Sequence, residues 1–149
     1  MIVTEESVVI DRPAPEVFAF FQDPGNVTLY MTNVITYELI SGEPGEVGSL
    51  VHGVVKVAGR QLPITEETTG VEQDRYLRRR GTDSPVPYET ETRFDPTERG
   101  TRVTFHQESG SLGGVFGTLT DTLVAKLYAR DVRSNLEHAK ALLESEATS

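Results

Sequence analysis

Apolar residues recur at alternate positions through most of this chain, and at every third or fourth position near its C-terminus. A period of two predicts strands and a period near 3.6 predicts a helix. Thr4 to Ile10 reads as a first strand, with Val8 and Ile10 on one face. Asp11-Arg12-Pro13-Ala14-Pro15-Glu16 then opens a helix: proline tolerates a first turn, and Glu16 suits the positive end of the helix dipole. Val17, Phe18, Phe20 and Phe21 supply its apolar side, Asp23-Pro24-Gly25-Asn26 stops it, and Val27 to Met31 forms one further helical turn.

A β meander follows. Strands are predicted over Ile35–Ile40, Ser49–Val57, Leu62–Val71, Arg75–Gly81, Val86–Phe94 and Thr101–Ser109. Their turns fall at Gly42–Glu46, Ala58–Gln61, Gln73–Asp74, Asp83–Pro85 and Asp95–Gly100. From about Leu112 to Leu143 the pattern is helical, and some thirty residues span roughly 45 Å. No other element is long enough to match it, so the six or seven strands are expected to wrap this helix as a curved antiparallel sheet. The prediction is one α+β domain over residues 1–149.

On a helical wheel Tyr128, Val132, Leu136, Ala139 and Leu143 fall on one side, a conventional buried stripe. Followed toward the helix start, that side carries Ala125, Asp121, Gly117, Gly114 and Gly110. The change from large apolar residues to glycine either leaves a pocket or marks a loop before the helix; Gly117 is assigned to the pocket. Asp121 would then face an apolar cavity, which suits acid–base work, or lie at its rim beside an arginine. Phe116, Leu119, Leu123 and Leu127 form a second stripe on nearly the opposite side. Either the helix kinks between Val124 and Tyr128, or this stripe points outward and offers a homodimer contact.

Composition narrows the function classes. The 149 residues carry a net charge of -9, which opposes binding to nucleic acid. There is no apolar run near the ~20 residues of a membrane helix, and no export signal at the N-terminus; a cytoplasmic protein is expected. Cysteine is absent, the three histidines lack zinc-site spacing, and neither a metal nor a cofactor is expected. No G-x-S-x-G elbow, phosphate-binding glycine loop or H-E-x-x-H motif occurs.

The order of elements resembles the SRPBCC superfamily, also called START-like or helix-grip, and within it the polyketide cyclase/dehydrase-like proteins. The residues that carry the resemblance are Val9 through Phe21, Glu38-Leu39-Ile40-Ser41-Gly42, Gly45-Glu46-Val47-Gly48-Ser49, Gly100-Thr101-Arg102-Val103-Thr104 and the terminal helix. The resemblance covers nearly the whole chain. It implies a deep cavity between sheet and helix, in which members bind lipids, hormones or polyketides, or catalyse cyclisation, dehydration or hydrolysis. It implies no shared catalytic motif, so activity does not follow from fold.

Several side chains are candidates for such a cavity. His52, grouped with Leu50 and Val54 by alternation, is expected to face inward as a donor, a general base or a plainly hydrogen-bonded core residue. Tyr88, Thr90, Thr92 and Phe94 share one strand face, and Phe105 and Gln107 one face of its partner strand. Inward polar groups of this kind are natural around a wet cavity and costly in a closed core. Tyr30 and Met31 form either a lid at the cavity mouth or simple packing. Arg79 inside the cavity would bind a carboxylate or enolate oxygen, with at least two of Arg78, Arg79 and Arg80 pointing out. One of Glu66 and Glu67 is expected to enter.

The first functional expectation is binding of a small, largely apolar, lipid- or polyketide-like molecule. The second is a cyclase, aromatase or dehydratase with Asp121, His52 or Tyr88 as acid or base and Arg79 as oxyanion stabiliser. The third is a protein-interaction module with a filled interior and an exposed Phe116/Leu119/Leu123 patch.

Overall fold

The computed structural model describes residues 1–110, 115–116 and 119–145. Strand β1 (Ile2–Ile10) leads into α1 (Ala14–Gln22), a 3-10 turn (Pro24–Asn26) and α2 (Val27–Tyr30). There follow β2 (Val34–Ser41), β3 (Leu50–Val57), β4 (Arg60–Glu72), β5 (Tyr76–Asp83), β6 (Tyr88–Thr97) and β7 (Gly100–Ser109), then α3 (Asp121–Ser145). The seven strands form one antiparallel sheet in the order β1-β7-β6-β5-β4-β3-β2. The meander keeps each neighbour in sequence a neighbour in space. The N-terminal strand closes the sheet by pairing with β7, from Ile2 opposite Ser109 to Ile10 opposite Thr101.

Local chemistry sets the bends. The β3–β4 hairpin turns on Ala58 and Gly59, both at positive φ (49° and 84°), the combination a tight hairpin turn requires. Register shifts in β2 and β4, between Val34 and Thr36 and between Thr68 and Gly70 among others, put bulges into the far half of the sheet and curl it.

Helix α3 starts at Asp121, later than the periodicity predicts. The Thr120 hydroxyl accepts from the Leu123 amide at 3.2 Å, a side-chain cap for one of the first unpaired N–H groups. The 25 residues span about 38 Å, somewhat less than expected. Its C-terminal end is lashed to β1: Lys140 Nζ donates to the Val9 carbonyl at 2.8 Å and pairs with Glu144 at 2.6 Å. Glu144 in turn accepts from the Asp11 amide at 2.9 Å.

The interior has a closed half and an open half. In the closed half α1 drives Phe18 and Phe21 onto Phe94, with ring centroids 5.3 and 5.6 Å apart in edge-on geometry. Val103, Leu136, Ala139 and Leu143 fill the rest. In the open half, under α2 and the first turns of α3, sheet and helix meet at Val57 with Val124 and at the Tyr128–Gln107 hydrogen bond, and space is left between these contacts.

The stripe of Phe116, Leu119 and Leu123 is divided. Phe116 is buried, packed with Val57, Val86 and Val124, whereas Leu119 and Leu123 are 37% and 43% exposed. An outward patch therefore comprises those two leucines without Phe116.

Candidate functional site

The open half encloses a cavity of about 160 Å³. Its walls are mostly apolar: Val55, Val57, Leu62 and Ile64 from the β3–β4 hairpin, Phe105 from β7, and Val124, Ala125 and Val132 from α3. Met31 and Phe116 also line it.

Its polar end is built across four strands. Glu66 of β4 lies opposite Gly81 of β5. A Cβ at position 81 would come within 2.5 Å of the Tyr88 ring. The missing side chain therefore opens the path by which Tyr88 of β6 reaches over β5, and its hydroxyl donates to Glu66 Oε2 at 2.6 Å. From the other side the Tyr37 hydroxyl donates to Glu66 Oε1. Both carboxylate oxygens are thus held. Arg79 enters the same space, and its Nη2 donates to the Phe21 carbonyl at 3.3 Å. Arg79 and Glu66 are not joined by a direct salt bridge among the described residues. Arg78 and Arg80 point outward and pair with Glu91 at 2.6 Å and Glu67 at 3.0 Å.

Tyr128 of α3 donates to Gln107 Oε1 at 2.6 Å, and Gln107 Nε2 reaches Ser109 at 3.1 Å. Tyr30 is 1% exposed and lines the cavity; its hydroxyl has no hydrogen-bond partner among the described residues. Asn135 ties the cavity mouth to α3. It accepts from the Thr32 amide at 3.1 Å and donates to Asn33 Oδ1 at 2.8 Å.

Burial keeps the phenols protonated. It pushes Tyr30 up to about 12, with Arg79 opposing. Burial, and after it the charge of Glu66, raises Tyr37, Tyr88 and Tyr128 above the ordinary tyrosine value. Desolvation works against the charge on Arg79, but Tyr37, Glu66 and Tyr30 outweigh it and its pKa rises.

Tyr30, Met31, Tyr88, Phe105, Gln107, Tyr128 and Arg79 all line this cavity. Three other candidates lie elsewhere. His52 is exposed, its ring 3.3 Å from Thr65 on the outer face. Apolar residues occur at both parities of β3, so alternation is ambiguous there, and Val51, Gly53 and Val57 are the buried set. Asp121 is exposed at the first position of α3, where the helix begins. Phe94 is buried in the closed half, where the phenylalanines of α1 take up the space beside it. Gly117 lies outside the described residues. Among the described residues no three His, Cys, Asp or Glu side chains cluster as a metal site.

Glu66, as the anchor of the polar end, and Tyr37 went unassigned by sequence reasoning. The usable signal was Gly81, a glycine inside a strand flanked by an inward carboxylate and an inward tyrosine.

A helix-grip fold with a hollow, mostly apolar interior defines the structural class. The polyketide cyclase / dehydrase and lipid transport family matches residues 1–144, and the chain belongs to it. No curated protein sequence matches. Among solved structures, protein TTHA0849 from Thermus thermophilus is 22% identical with a TM-score of 0.84, over 99% of both chains. The Zhui aromatase/cyclase from Streptomyces sp. R1128 is 18% identical with a TM-score of 0.77, over 97% of this chain and 94% of that one. The major latex-like protein 151 of Panax ginseng is 16% identical with a TM-score of 0.74, over 93% and 95%. At these identities the likeness is one of fold. No described helix is long and apolar enough to cross a membrane. The interior is hollow and Phe116 is buried, which departs from the filled interior and three-residue patch expected of an interaction module.

Proposed function

We propose that this protein binds a small, largely apolar molecule in the cavity between the sheet and α3, with residues 1–149 acting as one ligand-binding domain. The observation that carries this reading is an unfilled, apolar-walled space in which Arg79 keeps most of its donors unused. A core without a guest gains by closing such a void, since lost packing costs stability. The size favours a guest nearer one ring than a two-chain lipid, because an engineered cavity of about 150 Å³ accepts benzene.

Native mass spectrometry of the purified full chain tests it. The expected result is a retained small molecule, or uptake of added ethylbenzene, that is lost in Ala125→Phe. Wild type that carries no guest and takes up no ethylbenzene overturns the reading.

A second reading rests on a separate observation: Glu66 and Arg79 share the polar end of one cavity. In it, Glu66 takes a proton from the carbon beside a ligand carbonyl. The C–H electron pair becomes the new C=C bond, the carbonyl π pair moves to oxygen, and Arg79 neutralises the enolate formed. Tyr37 and Tyr88 hold the carboxylate in place. Deuterium exchange at the central carbon of acetylacetone in D₂O should be faster with the protein than without, and lose that acceleration in Glu66→Gln. Exchange equal in wild type and variant excludes this role.

A further inference from the structure

The hydrogen-bond polarity of the cavity's polar end is fixed by where its protons already go. The hydroxyl protons of Tyr37 and Tyr88 are both given to Glu66, one to each oxygen. The proton of Tyr128 is given to Gln107. Glu66 and the three phenol oxygens therefore turn lone pairs, not donors, toward the open space. A phenol oxygen that donates once can still accept, and a carboxylate has about four acceptor positions. Around Glu66 this side presents acceptors and carries one negative charge; the amide of Gln107 keeps one N–H beyond that given to Ser109.

The opposite character gathers at Arg79 and Tyr30. A guanidinium has five N–H donors and no acceptor, and Arg79 uses one, toward the Phe21 carbonyl. The Tyr30 hydroxyl is free to donate. This side carries one positive charge, so the two charges cancel within the cavity while their donor and acceptor faces stay distinct.

Resting on the ligand-binding reading above, we infer that the cavity selects a neutral guest of about one ring, bearing a carbonyl-type acceptor for Arg79 and Tyr30 and a separate hydroxyl donor for the Glu66 side, and that Glu66 is the residue that rejects carboxylates. A carboxylate in place of the guest's carbonyl differs from it by one negative charge. It satisfies Arg79, but places a second negative charge in the same small space as Glu66. An amine cation fails for the converse reason at Arg79. A purely apolar guest of the same size fills the void but leaves the unused donors desolvated, which costs affinity.

The test is calorimetric titration of the full chain at pH 7 with four probes of nearly equal size: 3-hydroxyacetophenone, acetophenone, 3-hydroxybenzoate and ethylbenzene. The meta hydroxyl cannot bond internally to the ketone, so its proton is available to the protein. Expected is the order 3-hydroxyacetophenone, then acetophenone, then ethylbenzene, with 3-hydroxybenzoate about tenfold or more weaker than the hydroxyketone, because the two share the meta hydroxyl and differ by one negative charge beside Glu66. In Glu66→Gln the gap between hydroxyketone and hydroxybenzoate should close to within about threefold. Glu66→Asp, which keeps the charge, should preserve the discrimination and guards against a Gln variant that folds poorly.

Hydroxybenzoate binding as tightly as the hydroxyketone in wild type overturns the inference. So does a gap that persists undiminished in a folded Glu66→Gln. Ethylbenzene binding as well as the hydroxyketone overturns it while leaving the small-ligand reading intact. Failure of all four probes, ethylbenzene included, overturns both.

Discussion

Replacing Ala125 by leucine adds three carbons to a side chain that lines the cavity, fourteen positions before Ala139, a fully buried alanine of the same helix in the closed half. The two substitutions are chemically identical and change helix propensity equally. In a packed core such an insertion costs about 1–3 kcal/mol through strained rotamers and shifted backbone; that is the expectation for Ala139→Leu. At Ala125 the added carbons enter space that already exists. Burying three methylene equivalents is worth up to about 2.4 kcal/mol at ~0.8 each. Fixing a leucine rotamer returns about 0.5–1 kcal/mol of that, so a net gain of about 1.5 kcal/mol remains. For a chain of this size each kcal/mol moves Tm by about 2–4 °C. Ala125→Leu should therefore melt about 3–6 °C higher than wild type, and Ala139→Leu several degrees lower. Thermal denaturation followed by circular dichroism, with urea titration as a second measure, reads both. Equal destabilisation of the two variants would refute the reasoning, because it would mean that the space beside Ala125 is no emptier than that beside Ala139.

Phe94→Ala should lower stability by about 3–5 kcal/mol, since Phe94 is 2% exposed and joins the rings of Phe18 and Phe21; urea unfolding measures it, and a loss under about 1 kcal/mol contradicts the closed half as described. Gly81→Ala should leave the chain folded but displace the Tyr88 ring from Glu66, weakening uptake of 3-hydroxyacetophenone more than that of ethylbenzene; an equal effect on both probes argues against Tyr88 acting through Glu66. At high pH the sign follows from the raised phenol pKa values. The fold favours the protonated hydroxyl, so this stabilisation is complete below the ordinary value of 10.0 and, for Tyr30, is lost as pH rises toward about 12. In a Tyr76→Phe background, absorbance at 295 nm should therefore rise together with loss of the circular dichroism signal; phenolate formation ahead of unfolding goes against their burial.

Much of the fold follows from short-range pattern. Seven strands, two short helices after the first strand and one long terminal helix could be read from alternation, from turn residues such as Gly59, and from prolines at the start of α1. So could the buried stripe of Val132, Leu136, Ala139 and Leu143. These features depend on side chains a few positions apart, and that information is local. The inward placement of Tyr88, Gln107 and Tyr128 followed from the same periodicities.

Tertiary structure decided the rest. His52 sits in a strand with valines on both faces, so only pairing with β4, which sets Val51 opposite Glu66, determines which parity turns inward. Asp121 has the right position on the wheel, but its depth depends on where α3 begins relative to the sheet, and no periodicity reports that. Glu66 becomes the anchor of the site because Gly81, fifteen residues on, clears the way for Tyr88, and because Tyr37 arrives from the far edge of the sheet. A periodic sequence specifies which way a side chain points relative to its own strand or helix. Which side chains then meet, and whether space is left between them, is set by register and by the distance at which sheet and helix come to rest.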